Sequence, residues 1–322
     1  MYDVIIIGSG VAALAAGLYA GRYRLKTIII GGEFGGETAR AGRIENYPGV
    51  QSVDGYDLVK TMRAQAESVG AEYTNGFVSK LTRDGHCFTA TVGDTTLHAK
   101  GIIFAGGAEH RRLGLPNEKE LTGKGVHYCV TCDGPVYTGK TIAIVGGGDS
   151  SVKASTLAAE YVKKIYLITQ EKELHAEPVN MERLKKLGDI IEVLPEMKVD
   201  TIVGSGKLEK IILTKEHNGS RELVVDGLFV QIGFVPNVEL AVSLGVELDE
   251  QGYIKVDEMM RTNVDGFFAA GDTVNHFGRF KQCITAAAMG TVAATSAYED
   301  IKNHSVLYES HNASEPSKNL TK

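Results

Sequence analysis

Asp3 is followed by Val4-Ile5-Ile6-Ile7, an apolar run with no polar break that ends at Gly8. Such a run predicts a strand buried on both faces, because a half-exposed strand would alternate. Glycines come next, then an Ala-rich stretch of helical character through Tyr19, then a second apolar run over Thr27–Ile30. The same order returns at 141–146 (TIAIVG), with a helical stretch through Tyr161 and a strand over Lys164–Thr169. Each set predicts strand, tight turn, helix and parallel strand. The fold class is therefore α/β, with two doubly wound, Rossmann-like, three-layer domains.

Polar and apolar residues alternate over Leu208–Val225, which predicts a β-meander, and a further strand is expected around Leu228–Ile232. A late segment, Gly266-Phe267-Phe268-Ala269-Ala270-Gly271-Asp272, precedes a helical run from Ile284 to Ile301. If it completes the first glycine-rich site, the second domain is inserted into the first. The expected division is 1–115 for the first part of one domain, 116–243 for the inserted domain, and 244–302 for the second part. Residues 303–322 are polar and aperiodic and predict a disordered tail.

A length of 322 residues suits two domains, and a formal charge of −6 gives no reason to expect nucleic acid or an anionic membrane as partner. No apolar run approaches the length of a membrane span. The start, Met1-Tyr2-Asp3, carries no basic leader or cleavage site, so a cytoplasmic protein is expected. Of the four cysteines, Cys87 and Cys283 stand alone and only Cys129 and Cys132 are close. That usage suits a reducing compartment in which one pair cycles.

The stretch Cys129-Val130-Thr131-Cys132-Asp133-Gly134 lies between the two glycine-rich turns. Thiols two residues apart can close into a disulfide and reopen, holding and releasing two electrons. A zinc site would need a second close Cys or His pair, which the sequence lacks, so no metal is expected. His127 and His175 are read as ordinary polar positions. A dithiol between two nucleotide sites reads as a relay from one cofactor to another and on to a disulfide.

Gly8-Ser9-Gly10-Val11-Ala12-Ala13 fits the dinucleotide pattern G-x-G-x-x-A between a strand and a helix. Gly8 permits the turn, Gly10 lets a pyrophosphate approach the backbone, and Ala13 lets helix and strand pack closely. Gly146, Gly148, Asp149, Ser150 and Ser151 form the second fingerprint, with Ser151 at the last position. An acidic ribose ligand often ends the second strand of such a site. After Ile30 the chain gives Gly31-Gly32-Glu33, and the matching position is expected to be glycine.

Gly35-Gly36-Glu37, Glu45-Asn46-Tyr47-Pro48-Gly49, Cys129–Gly134, Ala269–Asp272 and Lys281-Gln282-Cys283-Ile284-Thr285 occur in that order. Together they resemble the low-molecular-weight thioredoxin reductases, FAD enzymes of the pyridine nucleotide-disulfide oxidoreductase class. The resemblance runs to about Ile301. It implies FAD contacts at Gly8, Ser9, Gly10, Ala12, Ala13, Gly35, Gly36, Glu37, Thr38, Asn46, Ala105, Gly107, Gly271, Asp272, Lys281, Gln282 and Cys283. Glu37 stands where the family has Gln, and Lys281 where it has Arg. The resemblance further implies that Cys132 faces the flavin, Cys129 attacks the partner disulfide, and Asp133 moves protons for the thiols. Thioredoxin or a thioredoxin-like protein is the implied partner, and a homodimer the implied assembly.

One departure bears on the coenzyme. NADPH-selective members carry His-Arg-Arg after the fourth of these strands and a further Arg beyond, whereas this chain has Thr169-Gln170-Glu171 and His175. Arginine pairs hold the 2′-phosphate by charge-assisted hydrogen bonds, whereas Glu171 would repel it and could accept from a free 2′-hydroxyl. NADH is favoured over NADPH. Entry of electrons from ferredoxin or reduced flavin, a dithiol oxidase, and a non-enzymatic FAD-binding redox sensor are the alternatives.

Overall fold

The structure is a computed structural model that describes residues 1–278 and 280–303. Asn303 ends a helix, and the rest of the expected tail lies outside the described residues. The chain divides into two compact units. One is built from Met1–Ala108 and the chain from Pro236 onward, the other from Glu109–Val235. Crossings expected at 115/116 and 243/244 therefore come earlier. Ala108–His110 and Phe234–Pro236 are extended and pair with each other, so the chain has changed units before it reaches Pro116. Among the described residues no helix is long and apolar enough to cross a membrane.

The first unit opens with β1 (Tyr2–Ile7), α1 (Val11–Arg22) and β2 (Thr27–Gly31). A short helix α2 (Gly36–Arg40) and the longer α3 (Gly55–Ser68) lead to β3 (Glu72–Asn75). Then come β4 (Val78–Asp84), β5 (Cys87–Val92) and β6 (Thr95–Phe104). β1 lies between β2 and β6, parallel to both, and β3 is parallel to β2. β6 has two uses. Its first half pairs antiparallel with β5, and its second half runs parallel to β1. That explains its composition, polar at Thr95-Thr96 and wholly buried at Ile102 and Ile103.

In the second unit, β7 (Val126–His127) and α4 (Val130–Asp133) precede β8 (Thr141–Val145), α5 (Asp149–Ala158) and β9 (Lys164–Ile168). Next are α6 (Pro178–Lys185) and β10 (Ile191–Leu194). The alternating stretch forms an antiparallel sheet of β11 (Val199–Gly204), β12 (Leu208–His217) and β13 (Ser220–Val224). Finally β14 (Gly227–Val230) returns to the parallel sheet, whose order is β7-β14-β8-β9-β10. One face of that sheet, through Ala143, Val145 and Leu228, packs with Ile202, Ile211 and Leu213 of the antiparallel sheet. The other face, through Ile142, Ile144 and Phe229, packs with Val152 and Ala158 of α5 and Leu184 of α6. Both faces are covered, which is why these strands read as unbroken apolar runs.

The chain returns to the first unit with β15 (Phe267–Ala269), parallel to the second half of β6, and α7 (Cys283–Asn303). α7 lies against α1 at unusually close range. A Cβ on Gly290 would come 2.1 Å from the Ala12 carbonyl oxygen, so only glycine fits there.

Candidate functional site: two glycine turns and a dithiol

The two fingerprint turns are built alike. Gly8 has φ +129°, and a Cβ there would lie 2.1 Å from the Ala105 carbonyl oxygen. Gly146 has φ +146°, and its Cβ would lie 2.2 Å from the Gln231 carbonyl oxygen. Each turn is pinned on both sides: the Gly8 N–H donates to Ile30 O at 2.8 Å, and the Gly146 N–H donates to Ile168 O at 2.9 Å. The second glycine of each G-x-G pattern faces open space. Gly10 has only Gly35 O near its Cβ position, at 3.9 Å, and Gly148 only His175 O, at 4.0 Å. Both cap their helices without a side-chain hydrogen bond. The uncapped first turns of α1 and α5 thus open onto bare backbone, a cradle for an anion.

Around the first turn, the segments expected to touch one cofactor converge. Gly36 brings its Cβ position within 3.8 Å of the Gly10 Cα, and Gly271, at φ +81°, packs against Ala12. Ala13 is fully buried, Ala105 ends the β6 run, and Gly107 has open space beside it at φ +65°. The Asn46 amide donates to Gln282 Oε1 at 2.9 Å, and Thr38 Oγ1 lies 3.5 Å from Cys283 Sγ. Burial pushes the Asp272 carboxyl up, opposed by Lys281 and assisted by Glu37. The Lys281 ammonium donates to Val274 O and sits 4.3 Å from the Tyr253 ring centroid, and its burial pushes it down. These residues fit FAD. The glycines leave room for a pyrophosphate, and the desolvated Asp272 carboxylate is a strong hydrogen-bond acceptor.

The second turn meets the end of β9. Thr169 Oγ1 sits where it would be 2.4 Å from a Gly147 Cβ, and the Glu171 Cγ lies 3.6 Å from the same point. Thr169 O accepts from Met197 N at 2.8 Å and Glu171 O from Glu196 N at 3.1 Å, so this segment is held beside the turn. Ser151 is buried, and its hydroxyl donates to Gly148 O at 2.8 Å; Ser150 is exposed. Asp149 has another use: its carboxylate accepts from Asn180 Nδ2 at 2.8 Å and Glu177 N at 3.1 Å, tying the start of α6 to that of α5. His175 contributes its backbone, donating to Gly147 O at 2.7 Å.

Cys129 and Cys132 are joined in a disulfide, their Cα atoms 5.3 Å apart. Cys129 caps α4, its sulfur accepting from the Cys132 N–H at 3.1 Å. Asp133, in the same short helix, reaches back to His127, with Oδ2 3.1 Å from Nδ1.

A family model described as pyridine nucleotide-disulphide oxidoreductase matches residues 2–290. The chain belongs to this family. A thioredoxin reductase of Listeria innocua serovar 6a is 38% identical to this oxidoreductase over 305 residues, 94% of each chain. A solved thioredoxin reductase from Lactococcus lactis is 33% identical and superposes with a TM-score of 0.89, covering 94% of this chain and all of that one. A ferredoxin-flavin thioredoxin reductase from Clostridium acetobutylicum is 31% identical with a TM-score of 0.51, over 94% and 98%.

The surroundings of Gly31, Glu33 and His127 in this oxidoreductase add to what their spacing gives. Ile7 pairs with Ile30 in the first unit as Val145 pairs with Ile168 in the second. Counting onward, Gly31 corresponds to Thr169 and Glu33 to Glu171. Gly31 ends β2, as expected, and Glu33 stands two residues beyond it, as Glu171 stands two beyond Thr169. Gly31 is glycine because a Cβ would meet the Ser9 Cβ at 2.2 Å, and the Ser9 hydroxyl donates to Glu33 O. The correspondence of Glu33 with Glu171 rests on the pairing register of β1 and β2, which spacing alone does not give. The Glu33 carboxylate pairs with Arg40, which also pairs with Glu37 at 3.3 Å. His127, expected to be an ordinary polar position, is buried.

Proposed function

We propose that this protein is a thioredoxin-disulfide reductase in which two electrons pass from NADH through FAD to the Cys129–Cys132 disulfide and on to thioredoxin or a thioredoxin-like protein. The observation that carries the reading is the disulfide at Cys129 and Cys132 in a chain that also holds two open glycine turns of dinucleotide type. The similarity to thioredoxin reductases over nearly the whole chain supports it. Bound FAD supplies a two-electron carrier, and NADH supplies a hydride.

The chain's own residues hold and steer these groups. Gly8, Ser9, Gly10, Ala12 and Ala13 receive the FAD pyrophosphate at the start of α1, with Gly35, Gly36, Ala105 and Gly107 leaving room beside it. Glu33 takes the adenosine ribose. Asp272 and the Gly271 turn bind the ribityl and phosphate end, while Glu37, Thr38, Asn46, Lys281, Gln282 and Cys283 border the ring system. Gly146, Gly148, Ser150 and Ser151 cradle the nicotinamide dinucleotide, Asp149 braces that turn, and Glu171 accepts from the adenosine 2′-hydroxyl. Cys129 attacks the partner disulfide, Cys132 closes the ring, and Asp133 moves the protons. The protein works as a cytoplasmic homodimer, as its resemblance implies.

A second reading keeps the dithiol chemistry and changes the donor to ferredoxin or reduced flavin. Gln170 and Glu171 offer a 2′-phosphate no guanidinium, and the similarity to the Clostridium acetobutylicum ferredoxin-flavin enzyme favours the same alternative. Anaerobic titration of the purified flavoprotein separates the two. NADH should bleach the flavin at near-stoichiometric addition, and NADPH should need a large excess. Adding thioredoxin and a disulfide reagent should then give turnover, which Cys129→Ser and Cys132→Ser each abolish while flavin bleaching survives. Bleaching by neither nucleotide moves the assignment to the second reading. Undiminished turnover in either serine variant removes the dithiol from the route.

A further inference from the structure

His127 is buried two residues before Cys129, and the reading above gives it nothing to do. It lies on β7 opposite Phe229 of β14, and strand alternation puts both side chains on the α5 face of the sheet. Its ring stacks on Phe229 with centroids 5.3 Å apart and planes 25° apart. Both ring nitrogens are engaged: Nδ1 is 3.1 Å from Asp133 Oδ2, and Nε2 is 2.7 Å from the Tyr137 hydroxyl.

For a neutral ring beside a carboxylate, these contacts set the tautomer. A carboxylate only accepts, so Nδ1 carries the hydrogen and Nε2 of the neutral ring is an acceptor. The Tyr137 hydroxyl must then donate. Burial pushes that hydroxyl's pKa up, and Asp133 and Asp226 push it the same way, so it keeps its proton. Asp226 itself accepts from Thr141 N at 2.9 Å, and the Lys140 ammonium stands 5.4 Å from the Tyr137 ring centroid. Phe229 brings no titratable group. The chain of donors therefore runs one way, from Tyr137 to His127 to Asp133.

We propose that His127 is a positioning residue for the dithiol: it holds the Asp133 carboxylate in the orientation that exchanges protons with Cys129 and Cys132, and Tyr137 locks its tautomer. The proposal rests on Cys129 and Cys132 being the redox centre. In the exchange, Cys129 gives up its proton and attacks the substrate disulfide. A new S–S bond forms as the old one breaks, and the first leaving thiolate takes that proton. Cys132 then gives up its proton and attacks the mixed disulfide, closing Cys129–Cys132 and releasing a second thiolate that takes the second proton. Two electrons and two protons leave the dithiol for the substrate, and Asp133 carries the protons across. A side chain that orients the proton carrier in this way resembles the third member of a nucleophile–base constellation.

The dependence on Asp133 should vary with pH. Below about pH 7 a thiol needs a base to form its thiolate, whereas above about pH 9 it ionises unaided. The test uses the FAD-loaded protein with the dithiol reduced and freed of reductant. It is mixed with hydroxyethyl disulfide, and closure of Cys129–Cys132 is followed by timed alkylation and mass analysis. Neither nucleotide nor thioredoxin takes part, so an error in donor or partner cannot be confused with failure here. His127→Ala should slow closure about tenfold at pH 6–7 and approach wild type near pH 9. His127→Asn, whose amide can replace the Nδ1 donor, should recover most of the loss. Tyr137→Phe, which keeps the ring packing, should show a smaller deficit confined to the same acid side. A deficit that His127→Ala shows equally at all pH, or none, overturns the proposal. Should His127→Ala fail to fold, a wild-type profile in Tyr137→Phe overturns it equally.

Discussion

Gly8 and Gly10 differ by two positions and by the reason each is glycine. Gly8 has left-handed backbone and a carbonyl 2.1 Å from its Cβ position, so the fold requires it; Gly10 has space and ordinary dihedrals, so nothing in the chain requires glycine there. Gly8→Ala should cost about 1–3 kcal/mol in the unfolding of the flavin-free protein. Gly10→Val should leave that unfolding nearly unchanged and lower the flavin content of the purified protein. Equal flavin in Gly10→Val and wild type would mean that the first turn holds no pyrophosphate. Asp272 makes the opposite trade. Its pKa is raised in the folded protein by burial, so its contribution to stability is fully present below the unfolded value and is lost as pH rises through the folded one. In flavin-free protein, Asp272→Asn should therefore raise the melting temperature at pH 7, and the gain should shrink as pH falls into the ordinary carboxylate range. The same variant should bind FAD more weakly, which melts with and without added FAD would separate.

At the scale of elements, the strand–turn–helix units were readable because their chemistry is local. Val4–Ile7 and Ile142–Val145 announce buried parallel strands, and the glycines after each announce the turn. Features that depend on pairing between distant segments were not readable in the same way. Glu33 becomes the counterpart of Glu171 only when β1 and β2 are set in register, and the antiparallel β4–β5–β6 meander carries too much polar character on β4 to stand out. Asp149 illustrates a further limit, since no spacing rule says that its carboxylate goes to Asn180. The segment after β9 carries the coenzyme prediction. Two lost phosphate contacts at about 1.5–3 kcal/mol each correspond to a hundredfold or more in affinity. Replacing Gln170 and Glu171 with arginine should move the ratio of kcat/KM for NADPH over NADH upward by about that factor. Steady-state kinetics with both nucleotides would measure it, and an unchanged ratio would show that the 2′-position lies elsewhere.

For the whole molecule, the division into units has an energetic meaning. The Glu109–Val235 unit is a single uninterrupted stretch with apolar cores on both faces of its sheet, whereas the other unit needs two separate stretches. The isolated 109–235 stretch should fold cooperatively, form the Cys129–Cys132 disulfide and hold no flavin. Circular dichroism, a thermal melt and thiol counting would establish this, and a non-cooperative melt would show that the stretch depends on the rest of the chain. Boundaries were the weakest part of the sequence reading because Pro116 marks a turn beyond the true crossing.

The ribbon formed by Ala108–His110 and Phe234–Pro236 brings the two ends of the inserted stretch side by side. Asn237 N donates to Gly107 O at 3.0 Å just before it, and Arg111 N donates to Gly233 O at 2.8 Å just after it. Entry and exit therefore form a hairpin stem, with the whole dithiol unit as its loop. Such a stem is a natural splice point. A short turn joining Ala108 to Pro236 would excise the unit without stretching what remains, leaving a miniature flavoprotein that has lost its thiols. By the same logic the stem can accept a different module, so that genetic grafting would wire one flavin scaffold to a new electron acceptor.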